Sequence, residues 1–185
     1  MRSSVRILIV TLCLLAAGAV LAQNSAPSYP AKPLRLIVPF APGGTNDVLG
    51  RIVADKLAER YPGLKLVLDH LGLKSGKDVS EATNYATFDK ILALAKRPNV
   101  AAKVSAMPCY ADDKTYPFKS VHPHIRRVFD AFGPQRTFWG TDWSRLPCSY
   151  RQGVTMFTEE MPWLKGQDLD RVMGRGICEW IGWRM

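Results

Sequence analysis

No Cys-x-x-Cys pair occurs in this chain, and cysteine is sparse, with four in 185 residues. A zinc or redox motif of that spacing is therefore not supported. Cys13 lies in an N-terminal apolar run. Cys109, Cys148 and Cys178 remain as an odd set, which cannot pair completely and suits a cytosolic history better than an exported one. Histidine is scarcer still, at three residues. Long basic clusters are missing too. The net charge is +9, yet its longest run is Arg126-Arg127 within a helical pattern. Scattered charge of this kind makes a solvated basic surface, and no nucleic-acid motif accompanies it. No apolar stretch reaches the roughly 20 residues that a membrane helix needs. Internal repeats and low-complexity tracts are absent.

What is present begins with a three-part N-terminus. Arg2 and Arg6 precede the uncharged run ILIVTLCLLAAGAVL, and Val20-Leu21-Ala22 supplies small residues before Gln23. The pattern predicts a secretory signal peptide over 1–22, export to the periplasm, and no stable membrane span after cleavage. Residues 23–33 are rich in Pro, Ser and Ala and read as a linker. Leu34–Val38 is a strand candidate. PFAPGGTND follows as a loop, and a helix with Leu49, Ile52, Val53 and Leu57 at helical spacing runs to about Tyr61. Pro62-Gly63 ends it, and Leu64–Asp69 is the next strand.

Residues 73–86 are polar and loop-like. Phe88, Ile91, Leu92 and Ala95 mark a second helix that stops near Pro98. Val100–Ser105 is the third strand. A helix starting near Pro123 follows, with Ile125, Val128, Phe129 and Phe132 on one face and Gly133-Pro134 at its end. Thr137–Thr141 is the fourth strand, leading into Asp142. Two helical patterns, about 150–161 and 167–182, complete the chain. Strands alternating with helices predict an α/β fold with about four parallel strands.

The stretch YPAKPLRLIVPFAPGGTNDVLGRIVADKLAE resembles the start of the substrate-binding proteins of tripartite tricarboxylate transporters, over about residues 1–59. In that reading 34–61 is a strand–helix unit. Gly43 and Gly44 let the backbone approach an anion, and free N–H groups around Thr45 to Asp47 favour a carboxylate. The resemblance implies a periplasmic carboxylate-binding protein.

A second resemblance covers about 57–185. YPGLKLVLDHLG, LALAKRPNVAAKVS, IRRVFDAFGPQRTFWGTDWSRLP and VMGRGICEWIGW are similar, in order, to the C-terminal part of the amidohydrolase-related family of metal-dependent hydrolases. It implies that 62–185 is part of a (β/α)8 TIM-type barrel. It also implies hydrolysis of a C–N, ester or lactone bond, or a decarboxylation, of a small molecule, with a divalent metal such as zinc. Two site residues carry over. His70 matches the histidine after the sixth barrel strand, which meets substrate or metal-bound water. Asp142 matches the aspartate after the eighth, a metal ligand or base. The family's first-strand H-x-H and fifth-strand histidine have no counterparts. His122-Pro123-His124 has the H-x-H spelling but precedes a helix instead of ending a strand.

A full barrel takes roughly 250 residues. The expectation is therefore a truncated hydrolase, of cytoplasmic origin in its hydrolase part. Its open sheet edge would favour a homo-oligomer. A fusion product without activity is the third reading, with the join near Lys56 to Tyr61.

Overall fold

A computed structural model describes residues 45–73, 81–86 and 88–184. The signal peptide, the linker, the Leu34–Val38 strand and Gly43-Gly44 lie outside the described residues. Thr45 and Asp47 lie in the first turn of helix α1, Thr45–Arg60. Strand β1 is Leu66–Leu68, β2 is Val100–Ser105 and β3 is Thr137–Gly140. They form one parallel sheet in the order β1-β2-β3. Leu66 lies beside Val100, and Ala102 beside both Leu68 and Thr137.

The central strand explains itself in its residues. Val100, Ala101, Ala102 and Val104 are all buried, as expected of a parallel strand covered on both faces. Between β1 and β2 lie the short helices α2, Glu81–Tyr85, and α3, Phe88–Leu92. The polar stretch 73–86, expected to be loop, thus holds one helical turn. Tyr85 is the reason, since its ring stacks on His124 at 3.4 Å and meets Phe88 edge-on at 5.0 Å.

Helix α4, His122–Phe132, buries Ile125, Val128 and Phe132, with Pro123 in its first turn and Gly133 at its end. Arg126 and Asp130 pair across its outer face at 2.8 Å. After β3 comes α5, Tyr150–Thr158, whose start carries a reciprocal Ser149–Gln152 capping box. Helix α6, Gly166–Asp170, leads through a wide turn at Arg171–Arg175 into α7, Gly176–Ile181. The core joins Phe88, Ile91, Val104, Ile125, Val128, Met156, Phe157 and Val172 across these layers.

The apolar spacing of α1 overstates its contact with the rest of the chain. Ile52 and Val53 are 52% and 44% exposed, whereas Ala58 is buried. Ala58 and Leu57 pack against the core, and polar contacts add to them. Asn99, just before β2, donates through Nδ2 to the carbonyls of Ala58, Tyr61 and Leu64 at 2.9–3.2 Å. It thereby satisfies the Ala58 carbonyl, which Pro62 leaves without the usual helical donor. Arg97 adds a contact to Asp55 at 3.0 Å and holds that carboxyl below its usual range. Arg136 makes a matching clamp, donating from Nη1 to the carbonyls of Ala95, Arg97 and Val100.

Both clamps sit at the N-terminal ends of the strands. Asn99→Ala leaves three carbonyls without that donor, and is expected to cost about 1–3 kcal/mol with no effect on chemistry at the other end of the sheet. Urea unfolding checks the loss, and an unchanged midpoint would show that water replaces the amide at no cost.

Candidate active site

The opposite edge of the sheet, where the parallel strands end, gathers the reactive side chains. Asp69 and His70 follow β1, Lys103 and Ser105 close β2, and Asp142 and Arg145 follow β3. The register makes this possible. Because Ser105 pairs with Gly140, the turns after β2 and β3 begin at the same level. His70 reaches across to β2, placing Nδ1 2.7 Å from Ser105 Oγ. Its Nε2 lies 3.4 Å from Asp142 Oδ2 and 3.5 Å from Asp69 Oδ2. The two expected site residues, distant in sequence, therefore stand together.

Each strand end carries an unusual backbone. His70, Ala106 and Asp142 have φ of 52°, 53° and 47°, in the left-handed region that side chains other than glycine seldom occupy. Aspartate tolerates that region through its short polar side chain, but alanine gains nothing from it. Strain at three adjacent strand ends is typical of a place where side chains are aimed for function.

Two cations complete the cluster. Lys103 Nζ meets Asp69 Oδ1 at 2.9 Å, and Arg145 Nε approaches Asp142 Oδ2 at 3.7 Å. Glycine at 140 makes room for the lysine. A Cβ there would come within 2.7 Å of Lys103 Cε. Gly140→Ala is expected to push the lysine off Asp69, since the nearest obstructing atom belongs to a flexible side chain, and to press on Ser105 Cβ at 3.2 Å. A Lys103 amine signal in NMR that no longer responds to Asp69→Asn would report the change.

Chemistry can be assigned group by group. Ser105 is fully buried, so it is placed to orient the imidazole and not to attack a substrate. Nε2 faces two carboxylate oxygens, which favours a proton on Nε2 and leaves Nδ1 to accept from the serine hydroxyl. Asp142 Oδ2 is buried without a hydrogen bond among the described residues, an acceptor held ready. Burial pushes the Cys109 thiol up, which argues against a thiolate nucleophile. Tyr110 is pushed up to about 12, chiefly by burial, and remains a neutral phenol beside the cluster.

His122 and His124 stay away from this edge. His122 opens α4 with Nε2 2.8 Å from the Pro117 carbonyl, and His124 is stacked on Tyr85. Lys103, Ser105 and Arg145 were not singled out from sequence. Lys103 and Ser105 lie two apart in a strand and so share a face, but only the parallel register sets them beside Asp69 and His70.

Comparison with known proteins places this geometry in a class. The amidohydrolase family profile matches residues 47–174, and the chain belongs to the amidohydrolase family. The match begins within α1, upstream of the expected join. Among curated relatives, L-fucono-1,5-lactonase of Burkholderia ambifaria is 39% identical over 95 residues, covering 48% of this chain and 30% of that protein. Protein BugT of Bordetella pertussis is 32% identical over 105 residues, covering 56% of this chain and 32% of that protein. This chain thus spans about a third of the length of these curated relatives.

A crystal structure of an amidohydrolase from Burkholderia multivorans with bound zinc aligns with a TM-score of 0.57 at 20% identity, over 75% of this chain and 58% of that one. The fold is thereby an α/β part of an amidohydrolase-type barrel, three described parallel strands with flanking helices.

The zinc of that relative sets a test for the residues here. Catalytic zinc normally takes three protein ligands. Among the described residues no group of three or more His, Cys, Asp and Glu side chains forms a metal site. Both carboxylates near His70 also face a cation, Lys103 or Arg145. The Asp142 acceptor is right for one ligand, but the described set does not fit the expected zinc.

Proposed function

We propose that this chain hydrolyses a lactone or related ester at the C-terminal edge of its sheet, with Asp142 as the base. The observation that carries the reading is the buried Asp142 Oδ2, which accepts no hydrogen bond among the described residues and stands 3.4 Å from His70 Nε2. Membership of the amidohydrolase family and the lactonase named among its relatives support the bond type.

In this reading Asp142 takes a proton from water as the water oxygen bonds to the acyl carbon. The ring C–O bond then breaks, and the protonated carboxyl returns its proton to the departing alkoxide. Water and lactone give one hydroxy acid. His70, held by Ser105, stands with Nε2 3.4 Å from Asp142 Oδ2 and keeps the carboxylate in position. Tyr110 supplies a neutral wall beside the charges.

The test is a panel of lactones and aryl esters followed by acid release at constant pH, with one reaction run in oxygen-18 water. Label is expected in the carboxyl group of the product. Label in the alcohol, or no acid release across the panel, would remove the proposal.

A further inference from the structure

Beside Asp142 the chain exposes aromatic surface that the core does not use. Trp143 is 64% exposed and Tyr150 is 52% exposed. Their ring centroids lie 6.0 Å apart at 52°, and Trp139 meets Tyr150 edge-on at 6.3 Å behind them. Trp139 is held in place by its indole N–H, which donates to the Gly153 carbonyl at 3.3 Å. Tyr150 opens α5, behind the Ser149–Gln152 capping box, so its backbone is fixed. Trp143 is the residue after Asp142 and begins a short helical turn that ends at Arg145. The tilted pair is thus anchored to the same turn that holds the proposed base.

We propose that Trp143 and Tyr150 form the subsite for the ring of an uncharged lactone; this rests on the hydrolase reading above. Two features select the occupant. Tilted aromatic faces offer apolar and π surface that suits the C–H face of a ring. Lys103 already meets Asp69 at 2.9 Å, and Arg145 is turned toward Asp142 at 3.7 Å. A ring carrying carboxylates would have to draw a cation away from its partner, whereas an uncharged ring leaves both pairs intact. Trp183, 69% exposed near the C-terminal end of the described chain, has no such setting and serves as a control.

The experiment titrates the full chain with glucono-1,5-lactam, a ring that resists hydrolysis, and follows tryptophan emission. A saturable change is expected in the wild type and in Trp183→Ala. Calorimetry on the variants, which does not need the Trp143 fluorophore, is expected to show binding about tenfold weaker in Trp143→Ala, with a smaller loss in Tyr150→Ala. Isophthalate, a flat dianionic ring, is expected to compete poorly even at low salt. Equal lactam binding by Trp143→Ala, or stronger binding of isophthalate, overturns the proposal. So does light scattering that shows these aromatics buried in a dimer which Trp143→Ala dissolves.

The readout does not need turnover. Lactam binding that depends on Trp143, without hydrolysis of any lactone, keeps the subsite and removes the hydrolase reading. Hydrolysis without that binding does the reverse, and loss of both removes both.

Discussion

Asp142→Asn is expected to lower kcat/KM for the preferred lactone by about 10²–10⁴, the range for loss of a positioned general base. Asparagine is the right replacement for a structural reason. Asp142 sits at φ 47°, a left-handed conformation that asparagine shares with aspartate at little cost. Alanine would add backbone strain to the loss of the carboxylate and confuse the result. The amide keeps the shape but cannot take the water's proton. The Arg145 contact at 3.7 Å is long, so its loss should barely move the melting temperature. Steady-state kinetics and a thermal melt on the same preparation check both statements. An asparagine variant with wild-type turnover would show that Asp142 is not the base and that the chemistry lies elsewhere.

Phe138→Ala is expected to be the most destabilising single change, at about 3–5 kcal/mol. Phe138 is 1% exposed in the middle of β3. Its ring faces Trp180 on α7 with centroids 6.1 Å apart. Gly176 lies so close that a Cβ there would fall 3.2 Å from the phenyl ring and 2.8 Å from the Arg171 carbonyl. Removing the ring empties the seam between β3 and the C-terminal helices, and backbone atoms line that seam, so it cannot collapse freely. A loss of this size is a large part of the 5–15 kcal/mol that holds a typical domain together. Urea unfolding should show a much lower midpoint, and Phe138→Leu should recover most of it. A loss below about 1 kcal/mol would mean that this seam contributes little to the fold.

Much of the architecture was readable in the chain itself. β2 begins and ends where the run Val100–Ser105 predicts, because a strand covered on both faces reads as a near-continuous apolar run, broken here by Lys103 and Ser105. Pro123 and Gly133 frame α4 as their backbone preferences require. α1 was also legible as a helix, but its buried face only in part. Of the residues that spacing named, Ile52 and Val53 are exposed and Leu57 packs against the core, while the polar Asn99 adds an attachment. Periodicity reports which residues share a side of a helix, and says nothing about whether a neighbour covers that side. The turn at Glu81–Tyr85 was missed because its stabilising contact, Tyr85 on His124, joins positions far apart in sequence.

The site divides in the same way. Resemblance to the family picked out His70 and Asp142 from the motifs around them. Their 3.4 Å approach follows from strands of equal level and from turns with positive φ at each end. Lys103 and Ser105 look in sequence like ordinary residues of a strand's end. They join the site because β2 lies between β1 and β3, so its last residues face both neighbours.

By itself the sequence determined the alternation of strand and helix, the parallel sheet and the placing of His70 and Asp142 just after strands. Those depend on local apolar pattern, turn chemistry and motif. Only the tertiary structure decided which carboxylate oxygen, among the described residues, is buried without a hydrogen bond, which cations face carboxylates and which aromatics are exposed. The meetings of His70 with Ser105 and Asp142, and of Lys103 with Asp69, join positions far apart in the chain, and no local pattern encodes them.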